Sequence, residues 1–196
     1  MNYLAHMYLS GNDPELMIGN FIADAVKGRQ LERYPERIQA GIRLHRAIDA
    51  YTDTHEVVVA GRERLRRYFH KYSGVVIDMY FDHFLASGWE DYSTEPLLDF
   101  THRNYAILSR YYLLLPGRSR RILPHMIRRN LLVAYGSLEG LDHAFRGMAR
   151  RTPFRSGMED AVEVLKQEYD GLRAGFRSFF PELVGFAALK REDPIS

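Results

Sequence analysis

Ile38-Gln39-Ala40-Gly41-Ile42-Arg43-Leu44-His45-Arg46-Ala47-Ile48-Asp49-Ala50-Tyr51-Thr52 decides the fold class. Ile38, Gly41, Ile42, His45, Ile48, Asp49 and Thr52 recur at spacings of three and four, so they share one stripe of a helix. Two polar groups, His45 and Asp49, continue the apolar face and stand one turn apart. A carboxylate turned inward is costly unless a cation or hydrogen-bond donors meet it. A metal ion would do so, and so would an ion pair with Arg43 or Arg46.

Working outward, the rest of the chain repeats this helical period and is broken only by short turns of Gly, Pro, Asn, Asp or Ser. Asp13-Pro14 is a cap followed by a first-turn proline, which predicts a helix ending near Gly28, and Pro35 opens another through about His55. Further helices are expected near 57 to 71, 75 to 87, 95 to 115, 119 to 136, 138 to 150 and 157 to 179, with Ser119 and Ser137 as N-cap candidates. Lys190 to Ser196 read as a fraying terminus. The fold class is all-α, one helical domain over residues 1–196, a length that suits one core.

Composition narrows the function classes. The chain has no cysteine, which excludes disulfides and zinc-thiolate sites and fits a reducing cytoplasm. The stretch Met1 to His6 lacks the basic and apolar regions of a signal peptide, and no apolar run reaches the roughly 18 residues of a membrane span, so a soluble protein with no membrane partner is expected. No Walker or dinucleotide fingerprint is present. Net charge is only +2, yet from Phe100 to Leu138 every formal charge is an arginine: Arg103, Arg110, Arg118, Arg120, Arg121, Arg128 and Arg129. A second cluster holds Arg62, Arg64, Arg66 and Arg67 around the single acid Glu63. Such runs suit an acidic partner, protein or nucleic acid, or a solvated face with counterions from elsewhere.

Nine histidine and aspartate side chains in the first 83 residues stand at spacings that suit a metal site: His6, Asp24, His45, Asp49, Asp53, His55, Asp78, Asp82 and His83. A mixed nitrogen and oxygen set suits a divalent ion such as manganese, iron or zinc. Asp78 and Asp82 repeat the one-turn spacing of His45 and Asp49, in an apolar helix, with His83 next to the second carboxylate. Asp24 is followed by Lys27 and Gly28, where a carboxylate could hold a metal or orient water while the lysine meets phosphate. Alone on the short segment Leu4 to Leu9, His6 reads as a core histidine rather than a ligand, and His55 as a helix-end group. His70, His102, His125 and His143 lack a matched carboxylate and read as structural or surface residues.

Five ordered blocks then carry a resemblance: Met1-Asn2-Tyr3-Leu4-Ala5-His6; Gly19-Asn20-Phe21-Ile22-Ala23-Asp24 with Val26-Lys27-Gly28; Gly41-Ile42-Arg43-Leu44-His45-Arg46 with Ile48-Asp49; Thr52-Asp53-Thr54-His55; and Phe81-Asp82-His83-Phe84-Leu85. Together they resemble the acyl-carrier-protein phosphodiesterase family over about the first 90 residues. Tyr3 stands where that family usually has phenylalanine, and Glu56 where proline is common. The resemblance implies an HD-like all-helical fold, a divalent ion that is usually manganese, and removal of the 4'-phosphopantetheine arm from holo acyl carrier protein. It carries over onto His6, Asp24, His45, Asp49, Asp82 and His83.

On that reading Asp24, His45, Asp82 and His83 would bind the metal, and Asp49 or His6 would orient the attacking water. Lys27 and Arg46 would neutralise charge on the phosphoryl oxygens, and the two arginine clusters would dock the acidic carrier. The alternatives are an HD-like nucleotide phosphohydrolase and a basic helical module with a structural metal. No base-reading motif favours nucleic acid.

Overall fold

Caps and turns start the chain as its residues dictate. Asn2 accepts from the Tyr3 N–H to open α1, Tyr3–Leu9, and Asp13 accepts from the N–H groups of Glu15 and Leu16 to open α2, Pro14–Ile22. The computed structural model describes residues 1–192, and among these every regular element is helical, as the periodicity requires. The expected helix to Gly28 stops at Ile22 and gives way to two 3-10 turns, Ala23–Ala25 and Gly28–Arg33.

The long stripe forms α3, Glu36–Thr54. Its approach to α2 depends on two glycines. A Cβ at Gly19 would fall on the carbonyl oxygen of Ile38, and one at Gly41 on that of Leu16. Interior helical glycine costs about 0.5–1 kcal/mol against alanine, and here it allows two backbones to touch. As a result Asn20 of α2 is brought beside His45 of α3.

The remaining helices are α4, Glu56–Phe69; α5, Ser73–Ser87; α6, Leu97–Arg110; α7, Gly117–Arg129; α8, Leu131–Ala134; α9, Leu138–Ala149; and α10, Ala161–Glu192. Three boundaries differ from expectation. The helix expected to 115 ends at Arg110 and passes into a 3-10 turn over Tyr112–Leu114. The one expected over 119 to 136 is split at Asn130, which adopts the left-handed conformation with φ 42°. The last does not stop before Pro181 but runs through it to Glu192. An interior proline costs about 3 kcal/mol, whereas each buried Leu or Phe returns about 1.5–3, and Phe179, Phe180 and Leu183 are all fully buried. Lys190 to Glu192, expected to fray, are thus helical, and residues 193–196 lie outside the described part. Ser137 caps α9 through the Gly140 N–H, but Ser119 is buried within α7, whose N-cap is Pro116.

One hydrophobic core runs from Met1 to Ala187, with α5 contributing Val76, Ile77, Met79, Tyr80, Phe81, Phe84 and Leu85. Among the described residues no helix is long and apolar enough to cross a membrane.

Candidate metal centre

Asn20 sets the geometry of the site. Its Nδ2 donates to the carbonyl of His6 at 2.9 Å and to Ser10 Oγ at 3.0 Å, so its Oδ1 is the atom left to face His45 Nδ1 at 3.0 Å. His45 therefore carries a hydrogen on Nδ1 and turns Nε2 the other way. There Nε2 lies 3.1 Å from Asp49 Oδ2 and 3.4 Å from Asp24 Oδ1. His6, from α1, places its own Nε2 3.1 Å from Asp49 Oδ1. The two imidazoles stack with centroids 4.0 Å apart and planes 21° from parallel.

Both rings are buried, while Asp49 is partly exposed and Asp24 largely so. Burial drives His6 down to about 4, against the pull of Asp49, so this ring is neutral near pH 7. Burial also acts to lower His45, but the carboxylates of Asp24 and Asp49 outweigh it and raise the ring to about 9. Asp49 is held well below the usual carboxylate range, burial notwithstanding, by His45 and His6. A proton on His45 Nε2 thus sits among the carboxylates, where a cation would sit.

The donor set fits a divalent metal. His6, His45 and Asp49 each offer an atom within 4.8 Å of the others, and Asp24, outside that group of three, has an oxygen 3.4 Å from His45 Nε2. The contacts of His6 Nε2 and His45 Nε2 with Asp49 are short but lack hydrogen-bond alignment, so two buried ring nitrogens lack a hydrogen-bond partner. Imidazole nitrogens and carboxylate oxygens are ligands that manganese, iron and zinc accept. The alternative of an arginine folded onto Asp49 is not seen. Arg46 instead donates to the Val26 carbonyl at 3.1 Å.

Several expected members stand elsewhere. Asp82 and His83 do not join the cluster. Asp82 is completely buried and accepts from the N–H groups of Leu4 at 2.8 Å and of Asn2 and Ala5 at 3.3 Å, so it caps the first turn of α1. His83, about 100° round α5, points toward the α8–α9 junction, where Nδ1 meets the Tyr135 carbonyl at 2.7 Å. Asp78 pairs with the Met1 amine at 3.1 Å, Asp53 with Arg62 at 3.3 Å, and His55 caps α4 through the Val57 N–H. Lys27 is exposed, and neither it nor Arg46 lines the cavity beside the cluster.

That cavity, of about 370 Å³, is lined by Tyr3, His6, Asn20, Asp24 and His45, and also by Arg118, Ile122 and His125 of α7, His143 and Met148 of α9, and Arg151 in the turn after α9. His125 and His143, expected to be structural or surface groups, are exposed side chains that line it. No spacing could have signalled them, because they lie on separate helices. Asn20 did carry a signal: it stands four residues before Asp24, on the same face of the helix expected from the sequence.

The two arginine clusters differ in kind. Arg62 pairs with Asp53, Arg66 with Glu63, and Arg64 and Arg67 both with Glu168. Among the described residues Arg118, Arg120, Arg121, Arg128 and Arg129 form no ion pair, and all five are exposed.

The family model described as acyl carrier protein phosphodiesterase matches residues 1–183. The chain is 30% identical over 185 residues to the acyl carrier protein phosphodiesterase of Photorhabdus laumondii, which covers 94% of this chain and 93% of that one. It is 31% identical over 194 residues to the protein of that name from Escherichia coli O6:H1, covering 97% and 99%. The protein of that name from Escherichia coli K12 is 29% identical over 195 residues, again covering 97% and 99%. No solved structure matches. With a match spanning most of its length, the chain belongs to the acyl carrier protein phosphodiesterase family.

Proposed function

We propose that this protein hydrolyses the phosphodiester joining 4'-phosphopantetheine to the serine of holo acyl carrier protein, with manganese held by His6, His45, Asp49 and Asp24. The observation that carries this reading is the convergence of these four side chains, two of them with unpartnered buried nitrogens, beside a cavity that His6, His45 and Asp24 line together with basic side chains. The ion would supply Lewis acidity to a phosphoryl oxygen and to the attacking water.

The chain's own residues do the rest. Asn20 holds His45 so that Nε2 is the nitrogen turned to the ion, which would displace its proton, and His6, neutral near pH 7, offers a second nitrogen. Asp24, the most exposed of the four, is placed to take the proton of the water. Water oxygen bonds to phosphorus as its proton passes to Asp24, the bond from phosphorus to the serine oxygen breaks, and that oxygen takes the proton back and leaves as the carrier's hydroxyl. The products are apo carrier protein and 4'-phosphopantetheine.

The carrier, an acidic protein, docks on the unpaired arginines of α7, next to the cavity mouth, in the cytoplasm that the cysteine-free composition suits. The α4 arginines are already answered by Asp53, Glu63 and Glu168, which makes them poor docking groups. The deciding experiment is mass spectrometry of holo acyl carrier protein after incubation with the protein and manganese. Loss of the whole arm with its phosphate is the expected result, and an unchanged carrier mass with metal-loaded protein would overturn the reading.

A further inference from the structure

We propose that Arg118 and Arg151 form the anion subsite that grips the phosphoryl group, in the cavity that His6 and His45 also line. This rests on the proposed phosphodiester chemistry and deepens it, since the basic groups first suggested for the role, Lys27 and Arg46, do not line the cavity.

Three observations converge on the pair. Both guanidinium groups line the cavity that holds His6, His45 and Asp24, although they come from different elements, α7 and the turn after α9. Among the described residues neither forms an ion pair, in contrast to Arg62, Arg64, Arg66 and Arg67. Tyr3 marks where their fields meet those of the metal centre: burial raises its hydroxyl, Arg118 and Arg151 pull it down, and Asp24 pushes it up. One phenol oxygen is thus within electrostatic reach of the carboxylate wall and of both arginines.

A phosphodiester needs such an arrangement. It carries a charge throughout hydrolysis and gathers more on its non-bridging oxygens in the transition state, where arginine's planar fork matches the oxygen geometry. The carboxylates alone would repel it. The unpaired guanidinium groups in the same cavity supply the missing positive charge, and because both residues are exposed they stay hydrated until substrate displaces that water.

The test uses the full-length protein with Arg118→Gln, Arg151→Gln, the double variant and Arg118→Lys, each checked for an unchanged thermal unfolding midpoint. Binding of 4'-phosphopantetheine is measured by calorimetry with and without manganese, beside kcat and KM for holo acyl carrier protein. Each Gln variant should bind 4'-phosphopantetheine about tenfold more weakly and the double variant about a hundredfold, with Lys recovering part. The loss in turnover should fall on kcat more than on KM, which a docking arginine would not produce. Wild-type affinity and kcat in the folded double variant would overturn the subsite while leaving the carrier-protein reading intact. Arginine-dependent binding without any turnover of the carrier would support the subsite and remove the carrier as substrate. Neither binding nor turnover by the wild type would remove both.

Discussion

His45 is held from behind by Asn20: its Nδ1 lies 3.0 Å from the amide oxygen, whose orientation is fixed because the amide nitrogen already donates to the His6 carbonyl and Ser10 Oγ. One side chain thereby positions a ring from α3 and ties it to α1, which carries the second histidine. Asn20→Ala should lower manganese affinity about 10–100-fold, the usual cost of losing a partner behind a metal ligand. Asn20→Asp, which can still accept from Nδ1, should lose less. Competition titration against a chelator checks both, and an Asn20→Ala protein with wild-type affinity would show that the ring needs no such support.

Gly41→Ala gives a prediction whose sign is opposite to helix propensity. Alanine is worth about 1 kcal/mol more than glycine in a helix interior. At Gly41, however, the new methyl falls on the Leu16 carbonyl oxygen, so the variant should instead lose about 1–3 kcal/mol as α2 and α3 separate. Metal affinity should fall with it, because Asn20 and His45 part. Gly185→Ala, in α10 with open space around it, serves as the control and should be neutral or slightly stabilising in urea unfolding.

The stripe from Ile38 to Thr52 made the helical class and the inward pair His45 and Asp49 readable, because period and residue type are both local. What local pattern cannot supply is the neighbour each face meets. Asp78 and Asp82 repeat the spacing of His45 and Asp49, yet their side of α5 faces α1, whose backbone N–H groups and Met1 amine satisfy the carboxylates in place of a metal. His6 looked like a core histidine for the same reason, until packing set it against His45. The two arginine runs also looked alike in sequence. The acids that distinguish them, Asp53 and Glu168, come from α3 and α10.

Asp82 should behave as a helix cap and not as a ligand. Asp82→Ala leaves three N–H groups of α1 without an acceptor and should cost about 2–3 kcal/mol, whereas Asp82→Asn keeps one acceptor and should retain manganese affinity near wild type. Burial pushes this carboxyl up to about 7, above its unfolded value, in spite of the N–H donors and the Met1 amine. Its protonated form therefore favours the folded state. The stability contribution is fully present below the unfolded pKa of about 4 and is lost as pH rises through about 7. Asp82→Asn should flatten the stability profile in that window. Loss of bound metal by a folded Asp82→Asn protein would instead restore the ligand role.

The last prediction separates the arginine clusters. Arg120→Glu with Arg121→Glu, on the unpaired row of α7, should raise KM for holo acyl carrier protein and weaken its dependence on salt, because exposed charges act mainly through screened long-range attraction. Arg62→Gln with Arg66→Gln should leave KM within about twofold, since Asp53 and Glu63 already neutralise those side chains at the surface and such pairs are individually worth little. Hydrolysis of a small phosphodiester should be untouched in both, as neither pair lines the cavity. Steady-state kinetics at low and high salt decide the matter. If the α4 pair raised KM and the α7 pair did not, the carrier would dock on the opposite cluster, and the local carboxylates would have to be displaced as it bound.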